Sequence, residues 1–228
     1  MIDQSFLENR TIYAFGDSIV YGHTHPEYCF MRQIQELFPC NLKIFAVNGA
    51  TVIDSDNAIR TQIENAPATS PDLIVWNGFT NDCYARNESH LGAVSDGFDG
   101  PFDTTTLCGG FENILHLMKS RWPEARIIYV AIHRSNARLD TIQYKGETAW
   151  VQRVMQDLTH EMCRKWNIRI ADLWNESPLD TNLPGYADKY IIDGSGSHPN
   201  KIACAKYYVP IVTEALRLET AVLEGKES

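Results

Sequence analysis

Cleaving an ester through a covalent intermediate takes a nucleophile, a base to accept its proton and a group to orient the base. It also takes fixed N–H donors for the oxyanion that develops. This chain has a candidate for each. Gly16-Asp17-Ser18 directly follows the apolar run Thr11-Ile12-Tyr13-Ala14-Phe15. Ser18 would therefore leave the C-terminal end of an early strand, where open α/β sheets collect their chemistry. His198, in His198-Pro199-Asn200, is the base candidate. Pro199 suits a first helical position, which would place His198 at or near the N-cap, where the helix dipole disfavours imidazolium. Asn81, in Trp76-Asn77-Gly78-Phe79-Thr80-Asn81-Asp82, carries an amide able to donate to an oxyanion, with Gly78 giving the turn its freedom. Gly49, in Val47-Asn48-Gly49-Ala50-Thr51, offers a backbone N–H, because glycine lets a bound group approach closely. Each motif alone is ordinary turn chemistry. Together they are less easily dismissed, because each would follow a strand that opens at one sheet edge.

Five short apolar runs are the strands that must carry these residues: 11–15, 42–47, 73–76, 127–132 and 168–171. Several are continuous rather than alternating, as expected of strands covered on both faces. Helical stripes separate them: Phe30, Ile34, Leu37 and Phe38; Ala58, Ile59 and Ile63; Phe111, Ile114, Leu115 and Met118; Val151, Val154, Met155, Leu158 and Met162; and Ile202, Ala205, Val209, Val212 and Leu216. Such stripes are core-facing helix sides. Alternating strand and helix predicts a three-layer αβα sandwich around a mainly parallel sheet of about five strands. Two stretches, 83–105 and 174–197, read as long loops. Loops of that length are uncommon unless they serve a site or move. Phe98, Phe102 and Tyr84 in the first could line a pocket or anchor the loop to the core.

The 228 residues suit one domain over 1–228, with 44% hydrophobic and 21% charged residues. The balance of 29 acidic to 20 basic residues, a formal charge of −9, argues against a nucleic-acid partner. No apolar run approaches the ~18 residues of a membrane span. The start lacks a basic segment followed by an apolar one, so a cytoplasmic protein is expected, with a processed secreted form as the alternative. None of the six cysteines forms a C-x-x-C pair. His23 and His25 invite a metal reading, but catalytic zinc takes three protein ligands and no third stands out. His160-Glu161 lacks the second histidine of a zincin motif, because position 164 is Arg164. Gly194-Ser195-Gly196 is not placed between a strand and a dinucleotide-binding helix. The reading calls for no metal and no cofactor, and oligomeric state is left open.

These blocks resemble those of the SGNH hydrolases, the GDSL-type esterases and lipases. The first is matched by Gly16-Asp17-Ser18-Ile19-Val20-Tyr21-Gly22, the second by Gly49, the third by Gly78-Phe79-Thr80-Asn81-Asp82 and the last by Asp193 through Pro199. The resemblance implies a flavodoxin-like sandwich with Ser18 as nucleophile and His198 as base. The Ser18 N–H, the Gly49 N–H and the Asn81 side chain would form the oxyanion hole. Two departures stand out. The family glycine two residues before Asn is Phe79 here. The family aspartate three before His is Ser195 here, with Asp193 five before. Either a bulge lets Asp193 reach the imidazole, or the site works as a Ser–His pair. Gly194 and Gly196 would make the loop pliable and favour the bulge. The expected activity is hydrolysis of short-chain esters, acetyl above all and with a carbohydrate as the alcohol. A non-catalytic carbohydrate-binding or assembly protein with a degenerate site is the alternative.

Overall fold

The structure, a computed structural model, describes residues 5–84, 88–137, 140–194 and 196–225, excluding the side chains of residues 84 and 88. In chain order the strands are β1 (Thr11–Phe15), β2 (Asn41–Ile44), β3 (Leu73–Trp76), β4 (Arg126–Ala131), β5 (Thr141–Tyr144), β6 (Glu147–Trp150) and β7 (Arg169–Asp172). The longer helices are α2 (Phe30–Leu37), α3 (Ile59–Asn65), α5 (Leu107–Arg121), α6 (Val151–Lys165) and α10 (Val209–Leu223). Between them lie short helical turns: α1 (Ser18–Tyr21), α4 (Glu88–Leu91), α7 (Leu173–Glu176), α8 (Tyr186–Tyr190) and α9 (Lys201–Ala203).

The main sheet has the order β2-β1-β3-β4-β7, and every pair in it is parallel. Helices α2 and α10 pack together on one face, while α3, α5 and α6 pack in a row on the other. This is the three-layer αβα sandwich that the alternating pattern predicts, with the flavodoxin-like strand order that the resemblance implies. β3 is buried at every position, because apolar side chains meet a helical layer on both faces. On one side Trp76, Phe111 and Tyr129 form a ring cluster with centroids 4.6 to 5.1 Å apart. The strand order reverses at β1, between β2 and β3. Ligands of open parallel sheets bind outside such a switch point, and Ser18 sits there.

The structure departs from the sequence reading in several elements. β2 ends at Ile44, short of the expected 42–47 run, and Leu37 of the α2 stripe is exposed. Residues 141–150 form an antiparallel hairpin. Its tight turn, Lys145-Gly146, has φ of 50° and 83°, as a two-residue hairpin turn requires; lysine is a weak signal for that conformation. The expected C-terminal stripe is broken as well. Ile202 is 57% exposed and Ala205 is exposed, while Ala203, Cys204, Tyr207 and Tyr208 are buried. A π-helical turn over Cys204–Tyr208 joins α9 to α10. The extra residue per turn rotates the buried face, so a regular 3.6-residue stripe could not find it.

The loop after β3 is tied down. Lys165 Nζ donates to Ser95 O (2.6 Å), Gly97 O (2.7 Å) and the Glu112 carboxylate (2.5 Å). Phe98 and Phe102 pack on Trp166 with centroids 5.0 and 6.1 Å away. They anchor the loop to α5 and α6. Tyr84, considered with them, has a side chain outside the described residues. Burial pushes the Glu112 carboxyl up, but donors from Lys165, Trp166 and Ser95 outweigh it and bring its pKa below the ordinary value. Among the described residues no helix is long and apolar enough to cross a membrane.

Lys165→Met would leave the fully buried Glu112 carboxylate without its cation. Removing one partner of such a pair costs about 3–5 kcal/mol. Urea unfolding should show that loss; an unchanged midpoint would mean that the tie is not energetically significant.

Candidate active site

Ser18, the candidate nucleophile, is placed by the end of β1. Gly16 leaves the strand at φ 138°, and both its backbone groups pair with one buried amide. Gly16 N donates to Gln62 Oε1 at 2.9 Å and Gln62 Nε2 donates to Gly16 O at 2.8 Å. Asp17 is fully buried and caps α1: its Oδ1 accepts from Ile19 N (2.8 Å) and from Asn77 Nδ2 (2.8 Å). Burial raises its pKa, opposed by those donors. Ser18 is then the first residue of α1, where backbone N–H groups have no intrahelical acceptor.

Ser18 Oγ lies 2.9 Å from His198 Nε2, and His198 Nδ1 lies 2.7 Å from Asp193 Oδ2. The structure thus brings Ser18, His198 and Asp193 into one hydrogen-bonded chain. The bulge permits it: Gly194 and Gly196 take φ of 69° and 79°, and Asp193 reaches the ring. Ser195, at the position of the family aspartate, lies outside the described residues. With Asp193 on the ring, the altered spacing no longer argues for a Ser–His pair.

His198 is not at the N-cap. Asn200 is, its side chain accepting from Ile202 N and Ala203 N at 3.1 and 3.0 Å, and the helix begins at Lys201. The loop of His198 is closed by an antiparallel bridge between Ile191 and Pro199, with Ile192 N donating to His198 O at 2.9 Å.

That loop is pinned from β4 by residues that sequence reasoning missed. The Gly196 carbonyl accepts from His133 Nε2 at 3.0 Å and from Ser135 Oγ at 2.8 Å. Tyr208, turned inward by the π-helical turn, is 2.7 Å from His133 Nδ1 through its hydroxyl. A neutral ring with its proton on Nε2 satisfies both contacts, and burial holds the His133 pKa down to about 4. A histidine after an apolar strand carries no sequence signal of such a role.

The oxyanion candidates are also held. Gly49 has φ 77°, a backbone that L side chains rarely adopt. Asn81 Nδ2 donates to Ala50 O at 2.9 Å, tying the second loop to the third. Behind them Asp82 accepts from Val52 N and Ile53 N at 3.0 and 2.8 Å, and burial lifts its pKa to about 6. The loop after β3 corrects the reading of Gly78. That residue has an ordinary φ, and it must be small because a Cβ would sit 2.5 Å from Val52 Cγ2. The left-handed position is Phe79, at φ 75° and fully buried. That conformation costs a non-glycine residue of order 1–3 kcal/mol.

His23 also reaches the site. Its ring stacks on His198, with centroids 3.7 Å apart and planes 5° from parallel, and its Nε2 is 3.4 Å from Asp193 Oδ2. The structure therefore supplies the cluster of three ligating groups that the sequence lacked, His23, Asp193 and His198. Both His198 nitrogens are already engaged, on Ser18 and Asp193. His25 is exposed and lies by Glu27.

The GDSL-like Lipase/Acylhydrolase family profile matches residues 14–203. Among solved structures, a protein from Lactobacillus plantarum is 17% identical, with a TM-score of 0.70 over 96% of this chain and 98% of that one. A putative GDSL-like lipase from Bacteroides uniformis is 20% identical, with a TM-score of 0.61 over 92% and 96%. Phospholipase A1 from Streptomyces albidoflavus is 12% identical, with a TM-score of 0.61 over 91% and 99%. At these identities the likeness is one of fold. No curated protein matches the sequence.

The pinning histidine gives a pH signature. Its folded pKa, about 4, is below the ordinary 6.5. Between these values only the unfolded chain takes up the proton, so its contribution is present above 6.5 and is lost as pH falls toward 4. His133→Gln should destabilise the protein at pH 7, and the deficit against wild type should shrink by about 2–3 kcal/mol by pH 4.5. Denaturant titrations of both proteins at the two pH values check this; a constant deficit would mean that His133 does not titrate this way.

Proposed function

Because this chain belongs to the GDSL-like lipase/acylhydrolase family, an ester hydrolase family of the SGNH kind, we propose that it is a serine esterase. Its substrates are short-chain esters, acetyl above all, with a carbohydrate as the alcohol half. The observation that carries this reading is the chain from Ser18 Oγ through His198 to Asp193, at 2.9 and 2.7 Å.

Ser18 Oγ attacks the ester carbonyl while His198 Nε2 takes its proton. Asp193 holds the Nδ1–H tautomer and stabilises the imidazolium that forms. The negative charge moves to the carbonyl oxygen, where Ser18 N–H, Gly49 N–H and the second N–H of Asn81 receive it. Loss of one such donor typically costs ~10²–10³ in turnover. The intermediate collapses to an acyl-Ser18, and His198 gives its proton to the departing alcohol. Water, deprotonated by His198, then releases the acid.

Hydrolysis of p-nitrophenyl acetate should exceed that of the octanoate ester and vanish in Ser18→Ala. Equal background rates for wild type and Ser18→Ala would favour the binding-protein alternative. A fluorophosphonate should label Ser18 stoichiometrically. Asp193→Asn should lower kcat by about 10²–10⁴, because the wrong tautomer is then held; a loss under tenfold would mean that Asp193 does not orient the base.

A further inference from the structure

The triad accounts for the edges of the His198 ring, not for the ring stacked on its face. His23 covers that face at 3.7 Å and 5°. Its Nε2 approaches Asp193 Oδ2, at 3.4 Å, the same oxygen that His198 Nδ1 meets at 2.7 Å. The backbone has been bent to put it there. Gly22 and His23 hold successive left-handed conformations, φ 97° and 53°. His23 N donates to the carbonyl of the nucleophile, Ser18 O, at 3.0 Å. Asn48 Nδ2, from the loop of Gly49, donates to His23 O at 3.2 Å. A non-glycine residue persists in such a conformation when its surroundings over-determine it, and such residues cluster at functional sites.

We propose that His23 is a positioning residue of the esterase reaction, acting through the His198 ring on which it stacks; this role rests on the reading of the protein as a serine hydrolase. Its Nε2 lies 3.4 Å from the Asp193 oxygen, but with the two rings parallel that oxygen sits above the His23 plane, so the contact is not a hydrogen bond and the role rests on the stacked face. The stacked face blocks rotation of the His198 ring out of the Ser18–Asp193 line and keeps water from that side. His23 must be neutral for this. A cation there would compete for Asp193 and repel the imidazolium that His198 becomes during acyl transfer. Partial burial and the neighbouring His198 hold its pKa below the ordinary value, against the opposing pull of Asp193 and with a further lowering from His25. His198, Asp193 and His25 are the titratable groups that face it.

The role is tested by a double-mutant cycle on p-nitrophenyl acetate hydrolysis and on the rate of fluorophosphonate labelling. His23→Ala should lower kcat ten- to a hundredfold with KM changed less than threefold. His23→Phe, which keeps the stacked ring, should recover part of the loss, and His23→Gln, which keeps polarity without a ring, should not. In an Asp193→Asn background the same His23→Ala change should cost less than threefold, because residues acting as a unit are not additive. Equal losses in both backgrounds, or wild-type kcat in His23→Ala, overturn the proposal. Abolition of wild-type activity by a chelator with recovery on adding zinc would also overturn it, by making the trio a metal site. If His23→Ala does not fold, the Phe and Gln variants carry the cycle. Wild-type protein left unlabelled at Ser18 removes the hydrolase reading and this role with it. A labelled wild type with an equally reactive His23→Ala removes the role alone.

Discussion

One backbone carbonyl bears most of the site. Gly196 O is the acceptor to which His133 and Ser135 reach from beyond β4, and it lies midway along the bulge that separates Asp193 from His198. The bulge has no regular secondary structure to hold it. Its ends are joined by the bridge of Ile191 to Pro199, and its middle is fastened at this carbonyl. Position 196 admits only glycine: φ is 79°, and a Cβ there would land on Asn136 Oδ1. A catalytic hydrogen bond within a loop is only as well defined as the loop's own attachments. Here they run through buried neutral groups, which hold geometry without competing with the reacting charges for electrostatic partners.

The same division of labour recurs across the sheet edge. Gln62 fixes Gly16, Asn77 and Asp17 fix the start of α1, and Asp82 fixes the loop after Gly49. Each is a buried polar group spent on backbone, and each stands one layer behind a residue that would face substrate. The donors of an oxyanion hole stabilise charge best when they need no reorganisation during the reaction, and these supports suit Ser18, Gly49 and Asn81 to the role proposed for them.

The sheet was legible because its strands are short continuous apolar runs, a pattern set by burial on both faces. Ser18, Gly49 and Asn81 stood out as candidates because each follows a strand in a motif of recognisable composition, and His198 because it precedes a proline and an asparagine near a helix start. What escaped depends on contacts distant in sequence or on backbone conformations that residue type does not announce. Asp193 was legible as the favoured partner of His198, but the bulge that brings it to the ring was not fixed by residue type alone. His133 looks in sequence like any histidine after a strand. Phe79 hides a left-handed turn behind a bulky residue, and Lys145-Gly146 hides a hairpin. His23 was visible beside Ser18, but its stacking on His198 follows from two successive left-handed residues.

The π-helical turn over Cys204–Tyr208 ties the C-terminal helix to the chemistry by phase as well as by contact. It holds one residue more than the regular pitch, so the segment before it is advanced by about 100° relative to α10. Tyr208 owes its inward aim at His133 to that offset. The chain upstream, Asn200 and the loop that carries His198, owes it its bearing. The helix is therefore an indexed shaft: removing one residue from the turn would restore an ordinary helix and leave every side chain of α10 in place. It would also turn the histidine loop away from Ser18.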